Sequence, residues 1–309
     1  MKTGTQDIVQ LRTGAASAQL LPQCGGRVAT LQLTGSDGTP VDVLYPYPLD
    51  APFDPVRWAK GGIYPLMPYS NRIANAHLRV EGKDIVLKPH PDALPHALHG
   101  NAHRLPWTLE QHDETSAVLR LDALPSADWP WHYSGRLDIT LCAQALHMRI
   151  EIRNASSRSM PAGIGLHPYF HHLPQARVGY QADAVWPPTA DFLARPPRAP
   201  NAAEIYRPAR TLRPGGLTDY LGGWGGRADI ELPQGTQLCI EADPLFGHLV
   251  VHRPDNLAYL CLEPVSHVAD AFNLAAQGVT DTGTRWLAAG ESLAGAMRFY
   301  LASNPLDHT

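Results

Sequence analysis

Arg136-Leu137-Asp138-Ile139-Thr140-Leu141-Cys142-Ala143-Gln144-Ala145-Leu146-His147-Met148-Arg149-Ile150-Glu151-Ile152-Arg153 is the stretch on which the fold turns. Leu137, Ile139 and Leu141 alternate with Arg136, Asp138 and Thr140. After a short break, Leu146, Met148, Ile150 and Ile152 alternate with His147, Arg149, Glu151 and Arg153. A period of two puts the apolar set on one face of a strand and the polar set on the other. Two such strands in succession predict a sheet with one buried and one wet face. Asn154-Ala155-Ser156-Ser157 closes the second strand.

Outward from this pair, short β-compatible runs recur along the chain. Asp7 to Arg12 and Arg27 to Leu33 are two of them. Leu78 to Leu87 reads as a hairpin about Glu81-Gly82-Lys83-Asp84, and Trp107 to His112 pairs with Ala117 to Asp122. Ala228 to Leu232 and Gln237 to Ala242 form a hairpin pattern about Pro233-Gln234-Gly235; His248 to His252, Ala258 to Leu262 and Ala296 to Leu301 complete the series. The 29 prolines and 26 glycines suit many turns between short strands. No amphipathic helix of ordinary length and no fixed-period repeat is visible. Seven prolines between residues 187 and 214 predict a long ordered loop over one rim of the sheet. The pattern points to an all-β protein, a sandwich or a related architecture.

Composition limits the function classes. A net charge of −4 argues against nonspecific nucleic-acid binding, which needs a basic surface. Cys24, Cys142, Cys239 and Cys261 include no Cys-x-x-Cys pair. Met1 to Gly14 lacks a basic segment followed by an apolar core, and no run approaches the roughly 20 apolar residues of a membrane helix. A cytoplasmic protein with reduced thiols is expected. No Gly-x-Gly-x-x-Gly, P-loop or Gly-x-Ser-x-Gly elbow is present, so neither a nucleotide cofactor nor a serine nucleophile is expected. Among the 15 histidines, His167 with His171 and His172, and His248 with His252, are the groupings to weigh as metal ligands. Neither has a spacing diagnostic of zinc, and no metal is expected.

The residues with chemistry fall at apparent strand exits or in loops. Gly163-Ile164-Gly165-Leu166-His167-Pro168-Tyr169-Phe170 holds one histidine between glycines and a proline-aromatic turn. Gly165 permits a close approach, and Pro168 biases His167 toward an extended backbone. His167 is a candidate proton donor; the plainer reading is a loop histidine bonded to backbone. Glu263 follows Tyr259-Leu260-Cys261-Leu262 and precedes Pro264, a partly apolar setting that raises a carboxyl pKa toward general-base use. The plainer reading is a strand-end glutamate in water. Arg72 reads as a ligand group or a salt-bridge partner, Asp219 as a ligand group or a turn cap, and His99 is open between site and structure. Asn71, beside Arg72, sits in a stretch, Gly61 to Ile73, whose glycines and prolines mark a loop that passes close to something.

Taken in order, these pieces resemble the aldose 1-epimerases, or mutarotases. The resemblance rests on Pro68-Tyr69-Ser70-Asn71-Arg72-Ile73, Leu98-His99-Gly100, Trp129-Pro130-Trp131, Asn154 followed by Met160-Pro161-Ala162-Gly163, His167-Pro168-Tyr169-Phe170, Asp219, Glu263-Pro264, Asp270-Ala271-Phe272-Asn273 and Ala289-Gly290-Glu291-Ser292. It runs through nearly the whole chain and implies one domain over residues 1–309, a large twisted antiparallel β-supersandwich with the sugar in an open cleft. It implies that Glu263 is the general base at the anomeric hydroxyl, His167 the general acid at the ring oxygen, and His99 an assistant there. Arg72 and Asp219 would bind sugar hydroxyls, Asn71 would shape Arg72, and Trp131 is a candidate wall for the sugar's apolar face, or a core residue. The reaction needs no cofactor and no metal; the partner is a small sugar, and the chain a monomer or homodimer. Galactose-type members carry Asn-His-Thr-Tyr-Phe-Asn-Leu at the acid and Glu-Thr-Gln at the base. Here His167-Pro168 and Glu263-Pro264-Val265 stand instead, so the chain resembles a divergent bacterial branch with another preferred sugar. Two alternatives remain open. One is a hexose-6-phosphate 1-epimerase, with Arg195, Arg198, Arg207 or Arg210 on the phosphate. The other is a carbohydrate-binding protein without turnover.

Overall fold

The computed structural model describes residues 7–171, 175–232 and 236–302. His172 and the turn Pro233-Gln234-Gly235 lie outside the described residues.

The two alternating runs form strands Tyr133–Cys142 and Ala145–Asn154, paired antiparallel with Leu137 opposite Ile150 and Ile139 opposite Met148. They lie within a nine-stranded antiparallel sheet ordered Thr108–His112, Ser116–Ala123, Tyr133–Cys142, Ala145–Asn154, Ser292–Ala302, Gln237–Ala242, Arg227–Glu231, Arg177–Tyr180, Tyr206–Thr211. Its apolar side chains are buried, and its polar face carries ion pairs such as Arg120–Glu110 at 2.9 Å and Arg149–Glu151 at 2.8 Å. Exposed pairs of this kind contribute about 0–1 kcal/mol each, so burial of the apolar face holds the sheet in place.

A ten-stranded sheet packs against that apolar face. Its order is Val9–Thr13, Ala16–Leu21, Arg27–Thr34, Ile63–Leu66, Gly165–His171, Tyr259–Val265, His248–Arg253, Leu217–Gly222, Ala184–Trp186, with Pro40–Asp42 added beside Arg27–Thr34. Leu166, Phe170, Leu217, Leu221, Leu249, Val251, Leu260 and Leu262 share one core with Leu137, Ile139, Met148 and Ile150 of the other sheet. The opposite face of the ten-stranded sheet bears a second apolar cluster, including Tyr64, Tyr169, Trp186, Tyr220, Val250 and Cys261, covered by Trp58 and by the segment containing the short helix Ala271–Ala276. The central strands are therefore buried on both faces: every residue of Ile63–Leu66 and of Tyr259–Val265 is buried. Strands of this kind read as continuous apolar runs without alternation.

That burial accounts for two corrections. His167 and Glu263 sit inside strands Gly165–His171 and Tyr259–Val265, not at strand exits. Asp219, expected at a strand exit or in a loop, lies inside strand Leu217–Gly222 of the same sheet. The proline-rich stretch 187–214 is a loop for most of its length but contributes the edge strand Tyr206–Thr211. Gly61-Gly62 does pass close to its neighbour: a Cβ on Gly62 would stand 2.2 Å from Val28 O.

Candidate active site

The outer face of the ten-stranded sheet presents two parallel rows of side chains. Register sets Tyr64 opposite His167, Glu263 opposite Val250, and Val250 opposite Tyr220, and the flanking pairs Gly165–Val265 and Tyr169–Cys261 bring His167 level with Glu263. The adjoining row is Tyr169, Cys261, His252 and Thr218. Between the histidine and glutamate strands, ladder pairing is interrupted from Gly165–Val265 to Tyr169–Cys261. Pro168 and Pro264 fall in that gap and have no N–H to give. Gly165 permits the close strand approach, since a Cβ there would meet Val265 Cγ1 at 2.7 Å.

Over these rows opens a cleft of ≈ 210 Å³ lined by, among others, His167, Glu263, His99, Asn71 and Arg72. His167 Nε2 lies 3.3 Å from Glu263 Oε1 on the cleft floor. The imidazole is stacked between Tyr64 and Tyr169, each with its ring centre 4.6 Å away. Only 5% of His167 and 3% of Glu263 are exposed, so water hardly solvates either charge. Burial pushes the Glu263 carboxyl up to about 8 and holds the His167 imidazolium well below the ordinary histidine range, with His99 a further cause for the latter. Two groups this close titrate as one unit holding a single proton over a wide pH range.

Asn71, Arg72 and His99 form one structure at the wall. Asn71 donates its N–H to His99 Nδ1 at 3.0 Å, and the His99 N–H returns to Asn71 O at 2.7 Å. Both residues take left-handed backbone, with φ of 56° and 58°, which this reciprocal bonding sustains. Asn71 Oδ1 accepts from the Arg72 N–H at 3.0 Å and faces Arg72 Nη1 at 3.4 Å. The Arg72 guanidinium lies 4.8 Å from the centre of the Phe192 ring and has no ion-pair partner among the described residues. With Nδ1 accepting, a neutral His99 carries its proton on Nε2; burial, then the Arg72 charge, keeps it neutral.

Two expected residues are elsewhere. Asp219 is on the strand whose Thr218 and Tyr220 line the cleft, so alternation turns it to the opposite face, beside Leu217 and Leu221. There its carboxylate makes a two-point bond to Arg213, at 2.9 and 2.7 Å. Trp131 is in the main core, its Nε1 donating to Ser159 O at 2.9 Å and its ring 4.8 Å from that of Trp129. The four arginines of the proline-rich stretch do not line the cleft. Arg198 pairs with Glu204, Arg207 with Asp229, and Arg210 lies over Tyr206.

Sequence reading missed Tyr64, Lys60, Phe192, Thr218 and Tyr220 and weighed His252 only as a metal ligand; all of these line the cleft. The one available signal was parity, which pairs Thr218 with Tyr220 and sets both against Asp219. Lys60 stands at the mouth, its ammonium 4.5 Å from the centre of the Trp58 ring and without a carboxylate ion pair among the described residues. Among the described residues the weighed histidine groups do not gather: His171 packs against Tyr45, and His248 bonds Asp281 O while His252 bonds Thr218. His167, Cys261 and Glu263 do converge, with one potential ligand atom from each within 4.8 Å of the others.

Comparison with solved structures defines the class of the fold. A structure from Escherichia coli K12 superposes with a TM-score of 0.83 over 96% of this chain and 99% of its own, at 24% identity. A galactose mutarotase-like protein from Clostridium acetobutylicum superposes with a TM-score of 0.82 over 96% and 95%, at 19% identity. In sequence, the uncharacterized protein YphB of Escherichia coli K12 is 28% identical over 217 residues, 67% of this chain and 73% of YphB. The model of the aldose 1-epimerase family matches residues 7–300, and the chain belongs to that family. Among the described residues, no helix is long and apolar enough to cross a membrane.

Proposed function

We propose that the chain is an aldose 1-epimerase that interconverts the α and β anomers of an aldose, with Glu263 as general base and His167 as general acid. The observation that carries this reading is the 3.3 Å approach of His167 Nε2 to Glu263 Oε1 on the floor of a monosaccharide-sized cleft. The anomeric hydroxyl and the ring oxygen are bonded to one carbon and lie closer together than that spacing. One acid and one base side by side therefore reach both oxygens at once.

The buried pair holds one proton, and the reaction uses one. Burial favours the neutral pair with that proton on Glu263; its transfer across the 3.3 Å contact to His167 leaves Glu263 ionised to take the hydrogen of the anomeric hydroxyl as His167 protonates the ring oxygen. The ring opens to a carbonyl, the C1–C2 bond rotates, and the two groups reverse roles on closure. The pair ends as it began, so no external proton is needed. Positioned acids and bases contribute about 10²–10⁴-fold each. His99 assists by donating from Nε2 toward the ring oxygen, because its Nδ1 is occupied by the Asn71 N–H. Arg72, steadied by Asn71, supplies fixed donors to sugar hydroxyls.

A phosphorylated or otherwise anionic aldose is a second reading, favoured by Lys60 and Arg72 lining the cleft without carboxylate ion pairs. NMR exchange spectroscopy on a panel of neutral aldoses and their 6-phosphates tests both readings. Catalysed anomer exchange that is lost in Glu263→Gln supports the proposal. Absence of exchange on every sugar, with binding retained, favours a carbohydrate-binding protein.

A further inference from the structure

Cys261 takes no part in the chemistry above, yet its thiol lies beside the acid–base pair. Cys261 and Glu263 are two residues apart on one strand and so share a face; His167 stands level with Glu263 on the next strand. Their donor atoms all lie within 4.8 Å of one another, and the nitrogen–oxygen separation is 3.3 Å. A tetrahedral Zn²⁺ with bonds of about 2.0–2.3 Å requires donors roughly 3.3–3.8 Å apart, a spacing that small side-chain rotations reach. We propose that His167, Cys261 and Glu263 form a three-donor site for a thiophilic divalent cation such as Zn²⁺, and that its occupation shuts off the sugar cleft reversibly.

Three features define the kind of site. Imidazole, thiolate and carboxylate are the donor types Zn²⁺ takes, and three protein ligands leave a fourth position for water; of the three donors, His167 and Glu263 line the cleft, while Cys261 is buried beside them. The donors project from central strands buried on both faces, so the set is held together without the metal. Lys60 and Arg72 on the cleft wall oppose a second positive charge, which keeps the affinity below that of a closed structural zinc site. The site therefore suits an inhibitory cation and not a resident one. Binding displaces the thiol proton and the proton shared by His167 and Glu263, two in all, and no group changes oxidation state. The metal takes the lone pairs that proton transfer needs, so metal and sugar exclude each other.

Cobalt provides a readout independent of turnover. Titrating the metal-free full chain with Co²⁺ is expected to give a thiolate-to-cobalt charge-transfer band and the strong visible bands of a four-coordinate ion. Both should vanish in Cys261→Ala, persist in Cys142→Ala, whose native thiol is exposed, and be displaced by Zn²⁺. Cys261→Ser provides a second variant should the alanine chain not fold. With the sugar found in the exchange assay, Zn²⁺ is expected to inhibit competitively and reversibly by chelator. Whatever turnover Cys261→Ala retains, its inhibition by Zn²⁺ should be at least tenfold weaker than that of the native chain. No thiolate band, an unchanged band in Cys261→Ala, or a band lost only in Cys142→Ala would overturn the site, as would inhibition not competitive with sugar. The cobalt arm stands without the epimerase reading. If no sugar is turned over, that reading fails while the spectra still decide the metal site.

Discussion

The two sheets meet across one core and differ in what their other faces meet. The nine-stranded sheet turns that face to water, and it carries Arg136, Asp138, Arg149 and Glu151. The ten-stranded sheet covers that face with a second apolar cluster and sets the His167–Glu263 pair into it. A charge on the first face is solvated and cheap to change. A charge on the second is desolvated, which strains the fold and makes the group reactive. In the proposed epimerase, reactivity comes from covering a sheet on both sides and leaving one cleft open.

The largest effect that separates the faces is expected from Glu263→Gln. Turnover should fall by about 10²–10⁴-fold, while the melting temperature rises. Unfolded Glu263 ionises near its ordinary value of 4.5, and the folded group only near 8. The native protein thus loses stability as pH rises between those values. The variant's advantage should be absent below pH 4.5, grow to on the order of a few kcal/mol by pH 8 and then level off. Melting curves across this range that show no widening gap would refute the desolvated carboxyl.

Next in size is a contrast within the solvated sheet. Ile150→Ala should cost about 2–5 kcal/mol by denaturant titration, and its neighbour Arg149→Ala less than about 1 kcal/mol. Neither should move the KM of the folded protein for the sugar it turns over.

Parity on strand Leu217–Gly222 provides the third comparison. Asp219→Asn should weaken the fold by about 1–3 kcal/mol through its Arg213 partner with KM unchanged. Thr218→Ala should raise KM several-fold with little change in stability. The reverse pattern in steady-state kinetics and thermal melts would mean that Asp219 faces the sugar.

A pH profile of kcat/KM sharpens the account of the pair. Only its singly protonated form offers one acid and one base. Activity should drop about tenfold per unit above pH 8, where that proton leaves, and drop again on the acid side below the ordinary histidine range, where a second proton binds. The smallest effect is assigned to Lys60→Ala, with a few-fold rise in KM for anionic aldoses and none for neutral ones.

Legibility followed solvent. Leu137 to Ile152 could be read directly because one face is wet. Tyr259 to Val265 was read only as far as Leu262, since a strand buried on both sides shows no alternation to mark where it continues; Glu263 therefore looked like a strand end. The prolines after His167 and Glu263 sit where the ladder between the two strands is interrupted. The abundance of histidine, open to a metal reading, has a backbone explanation. His267, His99 and His96 accept the N–H groups of Ser70, Asn71 and Asn75 and so hold the turn that carries Arg72. Nothing in spacing marks a histidine as a cap for a turn so far away in sequence.

By itself, the sequence determined the all-β class, through alternation, and the family, through the order of its short motifs. Only the tertiary structure decided which residues share the cleft. It set His167 against Glu263 across a sheet, and by the parity of one strand it turned Asp219 to the far side. The physical reason is that alternation records which face of a strand is wet, whereas strand order and register, set by packing between distant segments, decide which dry faces meet.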